Sequence, residues 1–309
     1  MNPTPPKLIA HHTITQARVG LSTTRPVRAQ RWDMGSFILP HDHTYYEICV
    51  VNSGHGLHQT DYFQTPAGPG TVVVIPPGKV HAFAEGHRLI GTNIYYLTEW
   101  LLTELTQLWQ QDSLVSLFLA DSLFPRSNHA RPYQFDLETR ESESVMIDLE
   151  DMQREWDVTT PSVLFMQSSF LKVLIRLSRS YARQSPRERG FQFRRPVWEA
   201  LERIEESLLG SESFSVAALA RQLGVSPDHF TRLFKEATSW SPLEYFQMRR
   251  VHHACKLLLD PEAKISDIAY RLGYADAAHL SRVFKRFRGT SPREYRRVYT
   301  KPDPHTAIS

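Results

Sequence analysis

The stretch ISDIAYRLGYADAAHLSRVFKRFRGTSPREYR, residues 265–296, decides the fold of the C-terminal part of the chain. It repeats, 49 or 50 positions later, the stretch VAALARQLGVSPDHFTRLFKEATSWSPLEYF, residues 216–246. The matching positions include apolar, basic and capping residues as well as glycines, which indicates duplicated structure. Each copy has a short apolar helix, a glycine suited to a left-handed turn (Gly224 or Gly273) and a second helix. The sequence therefore predicts two helix-turn-helix units.

The second helix of each unit has a basic outward face. Helical spacing turns Phe230, Leu233, Phe234 and Ala237 toward the core in the first copy, and Leu280, Val283, Phe284 and Phe287 in the second. The opposite faces carry Asp228, Thr231, Arg232 and Lys235, then Ala278, His279, Arg282, Lys285 and Arg286. Arginine can hydrogen-bond guanine with two N–H groups and lysine can neutralise phosphate, so these helices fit the major groove of B-DNA. A merely solvated face is the alternative, and two matching basic helices disfavour it.

Charge and cysteine content agree with a DNA-binding C-terminal part. Residues 191–309 hold 19 Lys and Arg against 14 Asp and Glu, hence +5, whereas residues 1–190 carry −2. This asymmetry is expected when one half of a protein meets a polyanion. Cys49 and Cys255 are too few and too far apart for a disulfide framework, which indicates a reducing cytoplasm. We read no signal peptide and no membrane span in the sequence.

The N-terminal part changes from strand to helix patterning near residue 98. Before it, β-rich runs such as YEICVV and TVVVIP alternate with turn clusters, which predicts a compact antiparallel sandwich or barrel. After it, helices are expected at residues 99–110 and 145–156. A longer helix follows, with one apolar stripe formed by Val163, Met166, Phe170, Leu174, Leu177 and Tyr181. The stripe packs on the barrel, contacts the same helix of a second subunit, or does both.

The fold class predicted is an α+β multidomain protein with three segments. Residues 1–182 form a barrel with flanking helices. Residues 183–195 are Arg-rich, contain a proline and a glycine and are followed by a second proline at residue 196, which is typical of a linker. Residues 196–300 form the all-α part with the two helix-turn-helix units.

A histidine cluster stands in the stretch GSFILPHDHTYYEICVVNSG, residues 35–54. His41, His43 and Glu47 share strand parity, so one face of a continuous strand would carry all three. The turn PPGK, residues 76–79, sends His81 along another strand. Three imidazoles and a carboxylate suit a divalent metal cofactor, Fe(II), Mn(II), Ni(II) or Zn(II), and the same ring suits the hydroxyls of a sugar. His55 and His58 are expected near a hairpin turn, exposed and not ligating.

Residues 196–299 resemble the AraC/XylS family of bacterial transcriptional regulators, and residues 265–296 carry its C-terminal signature. The resemblance implies a seven-helix DNA-binding domain. It implies base and phosphate contacts at Asp228, Thr231, Arg232, Lys235, Ala277, Ala278, His279, Arg282 and Lys285. Ala277 and Ala278 are short where relatives often have polar side chains, which leaves base reading by the second unit to His279 and Arg282.

The N-terminal histidines resemble the paired motifs of cupins. Gly35, His41, His43, Glu47 and Gly54 form the first motif, and Gly70, Pro76, Gly78 and His81 form the second, with Glu85 in place of the final asparagine. The resemblance implies a small double-stranded β-barrel, and the region is most similar to rhamnose-responsive regulators. It also allows residues 1–15 to form an arm over the pocket, although disorder is the simpler expectation.

These observations predict a cytoplasmic, ligand-responsive regulator that binds double-stranded DNA and is not an enzyme. Its expected partners are a sugar effector in contact with His41, His43, Glu47 and His81, RNA polymerase, and a second copy of the chain. Activation is favoured over repression. A bound metal on the same four residues is the second interpretation of the pocket, and purely structural histidines are the third. The competing function is a cupin metalloenzyme, a dioxygenase or sugar isomerase, with an accessory DNA-binding tail.

Overall fold

The structure is a computed structural model that describes residues 8–10, 12–22, 25–33, 37–98, 100–101, 112–119, 123, 133–184, 195–209 and 214–300. Its strands are β1 (Thr13–Ile14), β2 (Val27–Asp33), β3 (Ile38–His43), β4 (Tyr46–Thr60), β5 (Gln64–Ala67), β6 (Thr71–Ile75), β7 (His81–Tyr96) and β8 (Tyr133–Asp136). Its helices are α1 (Asp112–Phe118), α2 (Thr139–Trp156), α3 (Val163–Gln184), α4 (Arg195–Leu209), α5 (Val216–Gln222), α6 (Pro227–Thr238), α7 (Pro242–Leu258), α8 (Ile265–Arg271), α9 (Ala277–Arg288) and α10 (Pro292–Thr300). The order confirms the predicted α+β class.

Two long antiparallel strands, β4 and β7, form the centre of the N-terminal half. They pair from Tyr46 opposite Tyr96 to Thr60 opposite His81, with shifts in register between Val51 and Leu57. The first half of β4 also pairs with β6, which pairs with β8, and the second half pairs with β5. The two ends of β7 pair with β2 and β3 in the same way. Because each long strand serves two sets of neighbours, the sheet curls into a barrel-like double layer.

Gly54 stands at the bend of β4. Its φ is +79°, and a Cβ at this position would lie 2.1 Å from the carbonyl oxygen of Arg88. Only glycine accepts both the left-handed backbone and this close approach. The glycine of the turn cluster NSGHG therefore bends a strand and does not end it, so β4 continues to Thr60.

The first part of β4, residues 46–51, and all of β6 are buried on both faces, which explains why their sequences are apolar without alternation. Cys49 and Val51 belong to a core cluster inside the barrel, with Val73 and Phe83. Ile48, Val50, Val72 and Val74 point the other way, into the larger core. Helices α2 and α3 cover that outer face, where Phe170 of α3 lies 5.1 Å from the ring of Tyr96.

Helices α2 and α3 pack against each other through one buried carboxylate. Asp148 of α2 is 3% exposed. It accepts hydrogen bonds from Lys172 and, at 3.2 Å, from Arg176 of α3. The predicted apolar stripe on α3 is buried from Met166 to Tyr181, but Val163, at the first turn, is 43% exposed. The stripe therefore meets the barrel along most of its length and leaves its N-terminal end open.

The C-terminal half, residues 195–300, consists of seven helices among the described residues, as the resemblance implied. Gly224 and Gly273 have φ of +70° and +68° at the equivalent turns of the two units. Helix α7 runs between the units and contains Arg249, which is fully buried. The guanidinium of Arg249 donates to both carboxylate oxygens of Glu205 on α4, at 2.5 and 2.7 Å.

The structure differs from the sequence prediction at three segments. Strand β8 follows the region expected to be wholly helical, and it pairs with β6. Helix α3 includes residues 183 and 184, and α4 begins at residue 195, so both ends of the predicted linker are helical. The rest of the linker, and residues 102–110 of the first predicted helix, lie outside the described residues.

Removing one partner of the buried pair should destabilise the C-terminal half. Glu205→Ala leaves the Arg249 guanidinium buried without a carboxylate, so the free energy of unfolding should fall by about 3–5 kcal/mol. Urea denaturation followed by circular dichroism measures the change. Glu206→Ala, on the exposed position next to it, is the control and should change stability by less than about 0.5 kcal/mol. Equal effects of the two substitutions would contradict a stabilising role for the buried Arg249–Glu205 pair.

Candidate nucleic-acid interface and ligand pocket

Helix α6 starts from a side-chain cap and exposes most of the predicted contact residues. The Ser226 hydroxyl accepts a hydrogen bond from the amide of His229, and Pro227 occupies the first turn. This arrangement satisfies a free helical N–H and fixes the helix start. Phe230 and Phe234 are buried. The outward positions are Asp228, Arg232 and Lys235, which are exposed, and Thr231, which is half-buried.

His229 is an outward residue that the sequence analysis did not select. It is exposed, and its Nδ1 lies 3.2 Å from Nη2 of Arg232, one turn along α6. The two side chains stand together on the face predicted to meet DNA. The i, i+3 spacing of a histidine and an arginine on the outward face was the available signal.

Helix α9 repeats the design of α6. Asp276 caps it by accepting from the amide of His279 at 2.6 Å. Leu280 and Phe284 are buried. The predicted residues divide into three exposed ones, Ala278, Arg282 and Lys285, and two half-buried ones, Ala277 and His279. The ring of His279 meets that of Tyr274 edge-on at 5.4 Å, so the preceding turn holds this imidazole at the helix start.

The candidate ligand pocket, a buried cluster of histidines with Glu47, lies where β3 meets the start of β7. His41 is directly opposite His81 in the register of these strands, and their rings are 4.4 Å apart. The turn at Gly78, with φ of +71°, ties the strands together because its amide donates to the carbonyl of His43 at 2.8 Å. Metal-ligating atoms of His41, Glu47 and His81 all lie within 4.8 Å of one another.

The sequence suggested that one strand carries His41, His43 and Glu47, but the structure divides these residues between two strands. Strand β3 ends at His43 and β4 begins at Tyr46. Glu47 reaches the pocket because it lies on the barrel face of β4, with Cys49 and Val51. His43 lies beside the set of three, with its Nε2 3.8 Å from Glu47.

His58 is a further pocket residue, and the prediction that it is exposed was wrong. It is fully buried on β4, and its ring lies 5.9 Å from that of His81. The register shifts between Val51 and Leu57 move it to the interior, which strand parity alone does not reveal. His55, three residues earlier, is exposed as expected.

Hydrogen bonds orient three of the four imidazoles. The Nδ1 atoms of His41 and His43 lie 2.9 and 2.6 Å from the carbonyl oxygens of Leu39 and Tyr45, which can only accept. The Nδ1 of His58 meets Oε1 of Gln134 at 3.1 Å. Each Nδ1 is therefore the protonated nitrogen, and each Nε2 keeps a lone pair for a ligand.

Several of these nitrogens are buried without a hydrogen-bond partner. They are Nε2 of His43, Nε2 of His58 and both ring nitrogens of His81. Buried polar atoms are seldom left unsatisfied, so this group has the chemistry of a site that takes a ligand, an ion or water. Neutral imidazoles with a nearby carboxylate are the donor set that first-row divalent metals prefer, so the residues present fit a metal.

Burial sets the protonation of the pocket. It lowers the pKa of His43 and of His58 to about 4, and it holds the pKa of His81 well below its usual range. It raises the pKa of the Glu47 carboxyl to about 8. Asn93 of β7 donates to Glu47 at 2.9 Å and holds it in place. At neutral pH the pocket therefore offers neutral imidazoles and a carboxyl that ionises once a cation or donor is present.

The start of the described chain closes one side of the pocket. Strand β1 pairs with β3 beside Asp42 and His43, and the exposed ring of His12 stacks on that of His41 at 5.8 Å. The part of the expected arm that is described is thus ordered against β3, and residues 1–7 lie outside the described residues.

Trp32, Tyr45, Tyr46 and Trp100 are aromatic side chains of the kind that can stack on a sugar ring. Tyr45, Tyr46 and Trp100 are at most 5% exposed and belong to the hydrophobic core. Trp32 is half-buried and donates to Asn93. These rings build the barrel, and only Trp32 lies in the hydrogen-bonded network that holds Glu47.

Comparison with known proteins matches both halves of the chain. Residues 27–127 match the family described as AraC-like ligand binding domain, and residues 219–298 match a helix-turn-helix domain family. The HTH-type transcriptional activator RhaR of Mannheimia succiniciproducens is 25% identical over 95% of this chain and 98% of its own length. RhaR of Yersinia pestis is 28% identical over 91% and 92%. The structure of ToxT from Vibrio cholerae is 14% identical over 89% of this chain and all of its own, with a TM-score of 0.43.

Within the described part of the chain, we find no helix with the length and apolarity that crossing a bilayer requires.

Acid should destabilise the fold through His58. Its pKa is about 4 in the folded protein and about 6.5 when unfolded, so only the unfolded state takes up the proton between these values. The contribution of His58 to the free energy of unfolding should be fully present above pH 6.5. Below it, the free energy of unfolding should fall by up to about 1.4 kcal/mol per pH unit toward pH 4. Urea denaturation over this range should show a shallower fall for His58→Leu. The exposed His55→Leu should keep the wild-type slope, and a wild-type slope in His58→Leu would refute the assignment.

Proposed function

The chain belongs to the AraC family of transcriptional regulators, and from this membership we propose that it activates transcription when a small molecule binds its β-barrel. It is a DNA-binding regulator and not an enzyme. We divide it into a sensor and dimerisation half, residues 1–182, a connecting segment, residues 183–195, and a DNA-binding half, residues 196–300. The name of the RhaR relatives supports activation over repression.

One observation carries the DNA-binding role: two helices with the same start and the same basic outward face. Helices α6 and α9 are both capped at the residue before their first turn, and Arg232 and Arg282 occupy equivalent exposed positions. Capped N-termini and basic faces are what recognition helices present to a major groove. If the two helices read adjacent grooves on one face of DNA, their separation is about 34 Å, one helical turn.

We propose that the contacts with DNA are those of the outward faces. Arg232 and Arg282 read base edges, and Lys235 and Lys285 neutralise phosphates. Asp228, Thr231, Ala277, Ala278 and His279 complete the set, and His229 joins it because its ring contacts Arg232. Since His279 is half-buried against Tyr274, its role is at the start of the helix, near the backbone of DNA.

We propose that the effector binds among His41, His43, His58, His81 and Glu47, and that it is a sugar. The unpartnered ring nitrogens support this assignment, because hydroxyl groups can both donate to and accept from them. A divalent metal on His41, Glu47 and His81 is the second candidate, favoured by the closeness of their ligating atoms. A metal there would balance the charge of an ionised Glu47 carboxylate and satisfy the imidazoles that burial keeps uncharged.

The remaining partners follow from the proposed activity. An activator acts on RNA polymerase, and it does so in the bacterial cytoplasm where the DNA is. A homodimer is supported by the first turn of α3, where Val163, Leu164 and Phe165 are 43%, 72% and 42% exposed. Apolar side chains grouped in this way are typical of a surface that meets another protein.

Substitutions on the outward faces should separate sequence reading from charge. Arg232→Ala or Arg282→Ala should weaken binding to the selected operator by about 1–3 kcal/mol and relax sequence preference. Lys235→Ala should weaken binding to all sequences and lower the salt slope by about 1. Fluorescence anisotropy with operator and random duplexes measures both quantities. Arg154→Ala, an exposed arginine of the sensor half, is the control for lost charge and should bind as wild type does. Equal losses on specific and random DNA for the three variants would contradict the recognition assignment.

Ligand binding should stabilise the wild-type chain and not a pocket variant. A sugar effector such as L-rhamnose at one hundred times its Kd should add about 2.7 kcal/mol to the free energy of unfolding. This gain should be absent in His81→Ala and present in His87→Ala, which alters an exposed histidine of the same strand.

Mass spectrometry of chelator-free protein tests the metal in the same set of variants. Near-stoichiometric metal that is lost in His41→Ala and His81→Ala, and kept in His87→Ala, would assign the ion to the pocket. A chain that binds neither sugars nor metal would show that the pocket assignment is wrong.

A further inference from the structure

One turn residue differs strongly in size between the two helix-turn-helix units, and the units themselves do not explain the difference. The first unit reads Ser239-Trp240-Ser241 where the second reads Gly289-Thr290-Ser291. The backbone is alike, since Ser239 and Gly289 both have positive φ, +64° and +73°. The following serines both cap the next helix. Yet Trp240 is 5% exposed and Thr290 is exposed. A large aromatic therefore replaces a small polar residue, and something outside the first unit buries it.

The second unit covers one side of Trp240. The ring of Phe287 on α9 lies 5.9 Å from it. Next to this contact, Arg286 of α9 donates to Glu244 in the first turn of α7 at 3.3 Å. Trp240 follows the end of α6 by two residues, and its amide donates to Thr238, the last residue of that helix. The indole therefore lies between the C-terminal ends of the two recognition helices.

The sensor half covers another side of Trp240. Its indole Nε1–H donates to the carbonyl oxygen of Leu123 at 3.2 Å, and both residues are buried. A buried indole N–H needs an acceptor, so this bond fixes which way the ring faces.

Leu123 is connected to the strand that carries His81. Its amide donates to Leu119, whose own amide donates to Val115 in α1. At the end of α1, the carbonyl of Phe118 accepts from the hydroxyl of Tyr96 at 2.8 Å. Tyr96 is the last residue of β7, and His81 is the first. A continuous series of hydrogen bonds and packed elements thus runs from the pocket strand to Trp240.

We propose that Trp240 is a positioning residue with two separable roles, in which its ring sets the spacing of the two recognition helices and its N–H fastens them to the sensor half. This inference rests on the proposed DNA-binding function. A shift of the segment at Leu123 reaches both recognition helices through one residue, because Trp240 contacts α6 through its backbone amide and α9 through its ring.

Substitutions at Trp240 and Phe287 separate the two roles of the tryptophan. Trp240→Phe keeps an aromatic ring against Phe287 and removes the N–H. Trp240→Thr installs the residue of the second unit and removes both contacts. Phe287→Leu removes the ring contact from the other side and leaves the N–H in place. Trp156→Phe makes the same chemical change on α2, where the indole packs under Arg25 and Arg28, and serves as the control.

Hydrogen exchange of the full chain measures the fastening role without DNA. Trp240→Phe should speed hydrogen exchange of the Leu123 amide about fivefold. This is the effect expected when the carbonyl group of the same residue loses one hydrogen bond. Phe287→Leu and Trp156→Phe should leave this exchange at the wild-type rate. An unchanged rate in Trp240→Phe would overturn the fastening role.

Operator spacing measures the ring's role. Inserting one base pair between the two subsites should weaken wild-type binding about tenfold, because one recognition helix loses its base contacts. The penalty should persist in Trp240→Phe and fall below about threefold in Phe287→Leu and Trp240→Thr. If Trp240→Thr does not fold, Phe287→Leu decides the outcome, and a full penalty in that variant would overturn the role. Failure of the wild-type chain to bind any duplex would instead refute the proposed function and leave the exchange result valid.

Discussion

The pairing of β4 with β7 is the constraint on which the N-terminal half depends. At 15 and 16 residues, these two strands are more than twice as long as any other described strand, and they bend together where Gly54 meets Arg88. The bend lets one pair of strands belong to both layers, so the residues of its inner face converge. Glu47 and His58 arrive from β4, and His81 and Asn93 arrive from β7. The pocket is therefore a product of the bend, and any change that straightened β4 would disperse these side chains.

Bringing these titratable side chains together in the interior has an electrostatic cost. Four imidazoles and a carboxyl lie in an interior where a charge would be poorly solvated, and burial keeps the imidazoles neutral. The carbonyl oxygens of Leu39 and Tyr45 and the side-chain oxygen of Gln134 each accept from one Nδ1, which fixes the direction of the other nitrogen. Such a pocket is organised before any ligand arrives. The ligand then meets oriented lone pairs and does not have to arrange them.

The sequence predicted the C-terminal half almost completely and the pocket only in part, for reasons that concern particular residues. Duplication gave two independent views of each unit, so Gly224 and Gly273 were identified as turn residues and the basic face of each second helix was recognised. No duplicate existed for the barrel. The parity of His41, His43 and Glu47 suggested one strand because the break at Thr44 and Tyr45 happens to preserve it, and the register shifts in β4 hid His58. Strand β8 is only four residues long, and it is defined by its partner β6 more than by its own pattern.

The capping shared by α6 and α9 has a consequence for how such a protein changes over generations. A helix whose start is fixed by a serine or aspartate outside its contact face can exchange the residues of that face without losing its register on the scaffold. The duplicated units can therefore drift apart in the sequences they prefer, one subsite at a time, while the frame that joins them is inherited intact. Ancestral symmetry persists at the Gly224 and Gly273 turns, and differences accumulate on the exposed faces.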